Sequence, residues 1–107
     1  MVNQGDIVLV DFNPTVGSEQ KGQRPALVVS NNDFHKVTKK FALVVPITSK
    51  IRNHPLHVKL DGRTNTHGEI MCEQIKMVDT VARNVSYIEK LSNDLLEQVL
   101  DIIKLLF

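Results

Sequence analysis

The chain has 107 residues, of which 42% are hydrophobic and 23% are charged, a balance that indicates one folded domain and excludes a disordered chain or a coiled coil. The 13 Lys and Arg residues nearly balance the 12 Asp and Glu residues, so the formal charge is +1. That total excludes the strongly basic surface of a protein that coats duplex nucleic acid, and any nucleic-acid site must be local.

Neither a membrane span nor a disulfide is predicted. The apolar runs are shorter than the roughly 20 residues needed to cross a bilayer, and the first six residues lack a basic segment followed by an apolar one. We therefore expect a cytoplasmic protein that does not bind a membrane. Cys72 is the single cysteine, and we interpret it as a buried strand residue because no second cysteine suggests a disulfide or a zinc site.

Three short apolar segments in the first half of the chain are predicted to be β-strands. The first covers residues 7–12, and the polar residues 13–23 that follow it, with a proline and two glycines, predict a long loop. The second, residues 25–30, is apolar throughout, which is typical of a strand covered on both faces. The third, residues 41–48, contains Pro46, which cannot donate to a ladder and so predicts a bulge or an edge position.

Three further strands and one helix are predicted in the second half. Residues 57–60 alternate polar with apolar, and residues 68–72 and 76–82 follow as two more strands. From Ser92, which is placed to cap it, the apolar residues recur at helical spacing. Because no helix is predicted between the strands, the expected architecture is a single mainly-β domain over residues 1–107, a small barrel with a C-terminal helix. The apolar stripe consists of Leu95, Leu96, Val99, Leu100, Ile103 and Leu106.

Arg24 stands out in a long polar segment, residues 17–25, between two apolar strands. Loops of this length are often functional. The residue before a proline is held in an extended backbone, which would fix the Arg24 guanidinium at the rim of the barrel. The alternative is a surface arginine that pairs with a carboxylate.

A second candidate segment begins where the third strand ends, at Thr48 and Ser49. Lys50 and Arg52 follow directly. Hydroxyl donors beside fixed positive charge are what a transferring phosphoryl group needs, and the two cations could bind flanking phosphates. The alternative is a solvated turn.

The histidines and aromatic residues offer weaker signals. None of the four histidines has a metal-binding spacing, and we interpret His54 and His57 as the entry to a strand, with no metal site expected. No nucleotide-binding loop or serine-hydrolase elbow is present. Phe34, beside His35, is the best-placed platform for stacking a base, and the alternative is a partly buried loop anchor.

Four segments together resemble the MazF/PemK toxins of bacterial toxin–antitoxin pairs. They span nearly the whole chain, which makes the resemblance specific. They are residues 5–20 (GDIVLVDFNPTVGSEQ), 23–30 (QRPALVVS), 44–49 (VVPITS) and 72–79 (CEQIKMVD).

The resemblance implies an SH3-like barrel, a homodimer, and an endoribonuclease that cuts single-stranded RNA at a short motif. It also implies a cognate MazE-like antitoxin, acidic and partly disordered, that covers the RNA channel. Arg24 matches the family's catalytic arginine and Thr48 its catalytic threonine or serine. In the PemK branch an Asp or His of the later strands has a catalytic role, and here Glu73 and Gln74 stand at that place. Together with the loop and basic residues, the predicted RNA-binding set is Glu19, Gln20, Lys21, Gln23, Phe34, Ser49, Lys50, Arg52, His57, Glu73 and Gln74.

The reaction implied by the family is attack of a ribose 2′-hydroxyl on the adjacent phosphate, which leaves a 2′,3′-cyclic phosphate and a 5′-hydroxyl and needs no metal or other cofactor. Arg24 suits the stabiliser of the phosphorane, and Thr48 would add one donor. An arginine is a poor base near neutral pH, so the base is sought among Glu19, His35 and His57.

Two other functions remain open from the sequence. One is a CcdB-like toxin that binds gyrase through its C-terminal residues and has no nuclease activity. It would need an exposed helix end, whereas residues 104–107 are interpreted as the end of a buried stripe. The other is a barrel that binds RNA or protein and has lost activity, against which the intact Arg24 and Thr48 speak.

Overall fold

The computed structural model describes residues 1–12 and 23–107. Within these ranges, seven β-strands and two α-helices follow one another along the chain. They are β1 (Asp6–Asp11), β2 (Gln23–Val28), α1 (Asn32–Thr38), β3 (Phe41–Thr48), β4 (His57–Lys59), β5 (Glu69–Met71), β6 (Lys76–Asp79), β7 (Ser86–Lys90) and α2 (Asn93–Leu105).

All strand pairs are antiparallel, in the order β4-β5-β3-β2-β1-β7, and β6 pairs with the first half of β3. Because β4 and β7 are not paired with each other in the described ranges, the sheet is not closed. The predicted architecture, a small mainly-β barrel with a C-terminal helix, is confirmed in this open form.

Pro46 lies where β3 changes its partner. Val44 is the last residue of β3 that pairs with β6, and Ile47 is the first that pairs with β5. Pro46 itself pairs only with Ala26 of β2. A residue without an N–H is tolerated in this interval because one side of the strand has no ladder there. The predicted irregularity at Pro46 therefore takes the form of a change of partner.

The sheet buries side chains on both faces because successive strand residues point to opposite sides. One core contains Ile7, Leu27, Val45 and Ile70 and is covered by α2. The other core contains strand residues that point to the opposite face: Val8, Val10, Ala26, Val28, Ala42, Val44 and Val78. The prediction that β2 is covered on both faces is confirmed for Ala26, Leu27 and Val28.

Cys72 is fully buried, as predicted, although it lies one residue beyond the end of β5. Burial in the apolar core raises the pKa of the Cys72 thiol to about 11. A thiol with this pKa remains protonated near neutral pH, so Cys72 is a packing residue and not a nucleophile.

Helix α1 contradicts the expectation of no helix between the strands. Asn31, the residue after the second predicted strand, is its N-cap and accepts a hydrogen bond from the backbone N–H of Phe34 at 2.8 Å. Seven residues make only two turns, too few for a helical period to be visible in the sequence. Strand β7 was also missed, since its exposed Ser86 and Tyr87 and partly buried Ile88 give no clear alternation.

α2 begins after Ser92 as predicted, although the Ser92 side chain makes no capping hydrogen bond. Leu95 and Val99 pack into the core, and Leu96, Leu100 and Ile103 pack against it. The interpretation of residues 104–107 as buried is wrong, because Leu105 is 80% exposed and Phe107 is 91% exposed. Ile103 is thus the last residue of the stripe that packs on the core, and the side chains of Leu105 and Phe107 are left largely exposed in the described part of the chain. Neither α1 nor α2 has the length and apolar character that a bilayer span requires.

His35 anchors α1 to the body of the protein. Its side chain is buried, and its Nε2 lies 2.6 Å from Ser30 Oγ, which also accepts the backbone N–H of Leu43 at 2.9 Å. In a neutral imidazole with its hydrogen on Nδ1, Nε2 accepts the hydroxyl hydrogen of Ser30. Desolvation lowers the pKa of His35 below 6.5, and the Val2 carbonyl and Asp6 only partly oppose this.

We expect His35 to make folding less favourable in mild acid. The unfolded chain binds a proton at His35 near pH 6.5 and the folded chain only below that, so stability is lost as pH falls through this window. His35→Gln removes the titrating group and keeps an acceptor for Ser30. The free energy of unfolding, measured by urea between about pH 7.5 and pH 5.5, should fall more for the wild type than for His35→Gln. Equal slopes would contradict this role of His35.

Candidate active site

Arg24 and Thr48 lie at neighbouring ends of β2 and β3. The ladder between these strands pairs Val28 with Val44 and Ala26 with Pro46. The ladder ends there, and the same register continued by two residues would place Arg24 opposite Thr48. Since alternate residues share a face, both belong to the face of the sheet that carries Ala26 and Pro46.

The Thr48 side chain is held in place but can still donate. Thr48 is buried, and its Oγ1 accepts the backbone N–H of Lys50 at 3.2 Å. A hydroxyl that accepts one hydrogen bond retains its own hydrogen for donation. Arg24 is half-buried and pairs with Val10 of β1, so its place on the sheet is fixed.

β5 and β4 bring a carboxylate and an imidazole to the same face. Thr48 pairs with Glu69, and Glu69 pairs with Lys59. His57 Nδ1 lies 2.8 Å from Glu69 Oε1, and His57 Nε2 lies 3.1 Å from Glu73 Oε2. The His57 side chain is only 3% exposed and that of Glu69 only 1% exposed. Thus a histidine between two carboxylates adjoins Thr48.

Glu69 is a buried charge whose oxygens are satisfied. Its Oε2 accepts the backbone N–H groups of Arg52 at 3.1 Å and Asn53 at 2.9 Å. The hydrogen bond with His57 is the largest cause that lowers the pKa of Glu69, and these two backbone donors lower it further against desolvation. Glu69 is therefore ionised, and it fixes both the His57 ring and the loop after β3.

Because of the two carboxylates, His57 is protonated more readily than an isolated histidine is. Desolvation by itself lowers the pKa of His57, but the hydrogen bonds and charges of Glu69 and Glu73 raise it above 6.5. Desolvation raises the pKa of Glu73, yet the bond to His57 brings it below its ordinary value. The site thus holds an acid and a base in contact near neutral pH.

Gly68 permits the close approach of β5 to the end of β3. Its φ is +122°, and a Cβ built on it would lie 1.8 Å from the backbone oxygen of Thr48. No side chain fits at that distance from a main-chain atom. The glycine therefore allows Glu69 to pair with Thr48.

We expect Gly68→Ala to lower the free energy of unfolding by about 3 kcal/mol, because it adds both backbone strain and a steric clash. Gly62→Ala is the matched control, since a Cβ at Gly62 meets nothing within 4 Å. Chemical denaturation of the two variants measures the difference. Similar stabilities would show that β5 can move away from Thr48 at little cost.

The other predicted RNA-binding residues lie in different places. Gln23 is exposed at the start of β2, beside Arg24. Phe34 lies in α1, which comes before the start of β3, whereas Thr48 is the last residue of β3. The Phe34 ring lies edge-on to the His35 ring, with 6.3 Å between the ring centres. Glu19, Gln20 and Lys21 lie outside the described residues. Five more are exposed or partly buried near the site: Ser49, Lys50, Arg52, Glu73 and Gln74.

Two residues of this face were not singled out in the sequence. Glu69 is the one charged residue in an otherwise apolar predicted strand, and that contrast was the available signal. Phe12 directly follows β1 and is two residues after Val10, which pairs with Arg24. Lys76 Nζ lies 5.2 Å from the centre of the Phe12 ring. Its position after β1 gave no indication that it would lie beside Arg24.

The interpretation of His54 and His57 as a strand entry is correct for His57, which begins β4, but it is incomplete. The two rings stack at 4.5 Å with an angle of 25° between their planes. Glu73 joins them, so that one ligand atom from each of the three side chains lies within 4.8 Å of the others. The spacing in the sequence gave no sign of this group because Glu73 comes from the turn after β5.

Comparisons with known proteins identify the family of the chain. The description of the family that matches residues 3–107 is PemK-like, MazF-like toxin of type II toxin–antitoxin system. The endoribonuclease PemK of Escherichia coli is 36% identical over 103 residues, which cover 92% of this chain and 77% of PemK. The endoribonuclease toxin MazF of Escherichia coli K12 is 37% identical over 84 residues, 78% of this chain and 74% of MazF.

A solved structure is similar over almost the full length. The crystal structure of MazE–MazF from Deinococcus radiodurans aligns with a TM-score of 0.87 and 28% identity, covering 98% of this chain and 94% of the matched one. The chain belongs to the PemK-like, MazF-like toxin family of type II toxin–antitoxin systems.

Proposed function

We propose that this protein is the toxin of a toxin–antitoxin pair and acts as an endoribonuclease on single-stranded RNA. It cleaves at a short sequence motif without a metal, and cleavage of mRNA inhibits translation and growth. The observation that carries the proposal is the pairing of Thr48 with Glu69, which is hydrogen-bonded to His57 and through it to Glu73, at the end of β3 towards which the β2 register directs Arg24. The relatives named endoribonucleases support it.

The proposed reaction is attack of the 2′-oxygen on the adjacent phosphorus. A bond forms between these atoms, and the bond from phosphorus to the 5′-oxygen of the next nucleotide breaks. Arg24 binds two non-bridging oxygens through parallel N–H donors, and its charge offsets the charge that develops on the phosphorane. Thr48 donates one further hydrogen bond.

His57 and Glu73 are our candidates for the proton transfers. Of the three bases considered from the sequence, His35 lies in α1, Glu19 is outside the described residues, and His57 adjoins Thr48 through Glu69. The Glu73 carboxylate accepts the proton of the 2′-hydroxyl, and the His57 imidazolium donates one to the departing 5′-oxygen. Glu69 touches no substrate in this scheme and serves as a positioning residue.

RNA binding would extend from the reacting phosphate along the exposed polar residues. Ser49, Lys50 and Arg52 lie exposed beyond Thr48 and can bind flanking phosphates. Phe12, next to Lys76, offers an aromatic ring on the Arg24 side of the site, where a base could stack. We prefer Phe12 to Phe34 as the stacking residue because Phe34 lies in α1, away from Thr48.

Two protein partners are proposed. One is a MazE-like antitoxin, acidic and partly disordered, whose segment covers the RNA channel, and the similarity to MazF in a MazE–MazF structure supports such a partner. The other is a second copy of the chain, because Leu105, Leu106 and Phe107 are exposed. Light scattering should then give twice the 12.1 kDa mass of one chain. Since the substrate is mRNA, we expect the protein to act in the cytoplasm.

The test is to incubate the purified protein with a long single-stranded RNA in excess EDTA and map the new ends. The proposal predicts cleavage at a recurring short motif, with 5′-hydroxyl ends that a polynucleotide kinase labels without prior phosphatase treatment. Absence of cleavage, by a protein that still binds its antitoxin, would favour a binding toxin of the CcdB-like kind. Cleavage that stops in EDTA would overturn the metal-independent mechanism.

A further inference from the structure

A second chemistry is available to the side chains around His57. His57 Nε2 and Glu73 Oε2 are 3.1 Å apart, and His54 stacks on the His57 ring. Two imidazoles and one carboxylate are a common set of protein ligands for zinc and related divalent ions when the fourth position is open.

The hydrogen bonds around His57 orient it as a metal ligand. Its Nδ1 bonds to the Glu69 carboxylate at 2.8 Å, which in the neutral ring leaves the lone pair on Nε2. A carboxylate behind a histidine is the usual outer support of a metal-bound imidazole. Glu69 is itself held by the backbone N–H groups of Arg52 and Asn53, so the support is rigid.

The distances are close to those that a bound ion requires. A tetrahedral ion with ligands at about 2.0–2.2 Å sets its ligand atoms about 3.3–3.6 Å apart. The ligand atoms of His57 and Glu73 are 3.1 Å apart, so they need to separate only slightly, and the third ligand atom lies within 4.8 Å of both. His54 is exposed and can rotate to close the gap. Its Nδ1 gives up only an exposed hydrogen bond from the backbone N–H of Leu56 if the ring turns.

We propose that His54, His57 and Glu73 form a binding site for one zinc-class divalent cation, and that the bound cation inhibits RNA cleavage. Inhibition rests on the proposed function, because the ion occupies the two atoms assigned to proton transfer. Binding itself depends only on the three ligands. The protein is then a nuclease that needs no metal and is switched off by one.

Binding is tested with tag-free protein by calorimetry with Zn²⁺ and by the visible absorption of Co²⁺. We expect one ion per chain and a Kd at least about tenfold weaker in His54→Ala, which removes one ligand. His67→Ala, at an exposed histidine outside the group, is the control and should bind as the wild type does. No saturable binding, or equal binding by His54→Ala and wild type, would overturn the site.

Inhibition is tested by adding excess Zn²⁺ to the RNA cleavage assay. The wild type should lose cleavage, and His54→Ala should cleave in EDTA at the wild-type rate and retain that rate with Zn²⁺ at concentrations that stop the wild type. Equal inhibition of both proteins would overturn the inhibitory role. If neither protein cleaves RNA in EDTA, the proposed function fails, and the calorimetry still decides whether the cation site exists.

Discussion

Replacement of Arg24 by alanine is expected to slow RNA cleavage by about 10²–10³-fold, the loss that follows removal of one preorganised donor to a developing oxyanion. Arg24 is half-buried beside Val10 and, by register, opposite Thr48. Its charge and paired donors therefore act at a fixed place, and water that fills the space after truncation cannot supply either. Single-turnover cleavage of a short RNA that contains the mapped motif measures the effect.

Arg24→Lys separates charge from geometry. The ammonium keeps the charge but cannot offer two parallel donors, so we expect a rate between those of the wild type and Arg24→Ala. Gln23→Ala, at the exposed neighbour, controls for disturbance of the strand and should change the rate much less. If Arg24→Ala cleaves at the wild-type rate while its folding is unchanged, the phosphorane is stabilised by another group and the assignment fails.

His57→Ala is expected to lower the cleavage rate by about 10²–10⁴-fold, the usual contribution of a positioned proton donor or acceptor. The imidazole contacts both Glu69 and Glu73, so its loss removes the acid and also leaves Glu73 without its partner. The reaction should be followed in EDTA, with thermal unfolding measured in parallel.

Chemical rescue distinguishes a reacting histidine from a structural one. Imidazole added to His57→Ala can enter the space left by the side chain and supply a proton, and it should restore part of the rate. It should not restore cleavage by Arg24→Ala, which serves as the matched control. A His57→Ala protein that is folded, inactive and insensitive to imidazole would assign His57 to support and leave the proton donor to be found elsewhere.

The sequence predicted the elements whose patterns are long and local. Strand β3 has the predicted bounds, and α2 follows from an apolar stripe four turns long. Helix α1 and strand β7 were missed because one is only two turns long and the other is largely exposed. The end of α2 was misjudged because an apolar stripe records periodicity but not whether anything lies opposite it.

Only those residues of the candidate site that can be identified one at a time were predictable from the sequence. Arg24 and Thr48 were candidates because each lies where a polar segment meets an apolar strand, and the family resemblance supplied their catalytic roles. The register of β2 and β3 directs both residues to neighbouring strand ends. Glu69 and His57 are 12 residues apart and meet only through the pairing of β4 with β5. No spacing rule within one segment could have brought them together.

The way in which Glu69 holds the loop after β3 bears on how such a site can change during evolution. Glu69 accepts main-chain N–H groups, which every residue except proline provides, at Arg52 and Asn53. The side chains at these two positions take no part in that contact. Replacement of the Arg52 side chain can therefore alter the proposed phosphate contact while the carboxylate behind His57 stays in place. The strength of RNA binding can change among descendants without a loss of chemical competence.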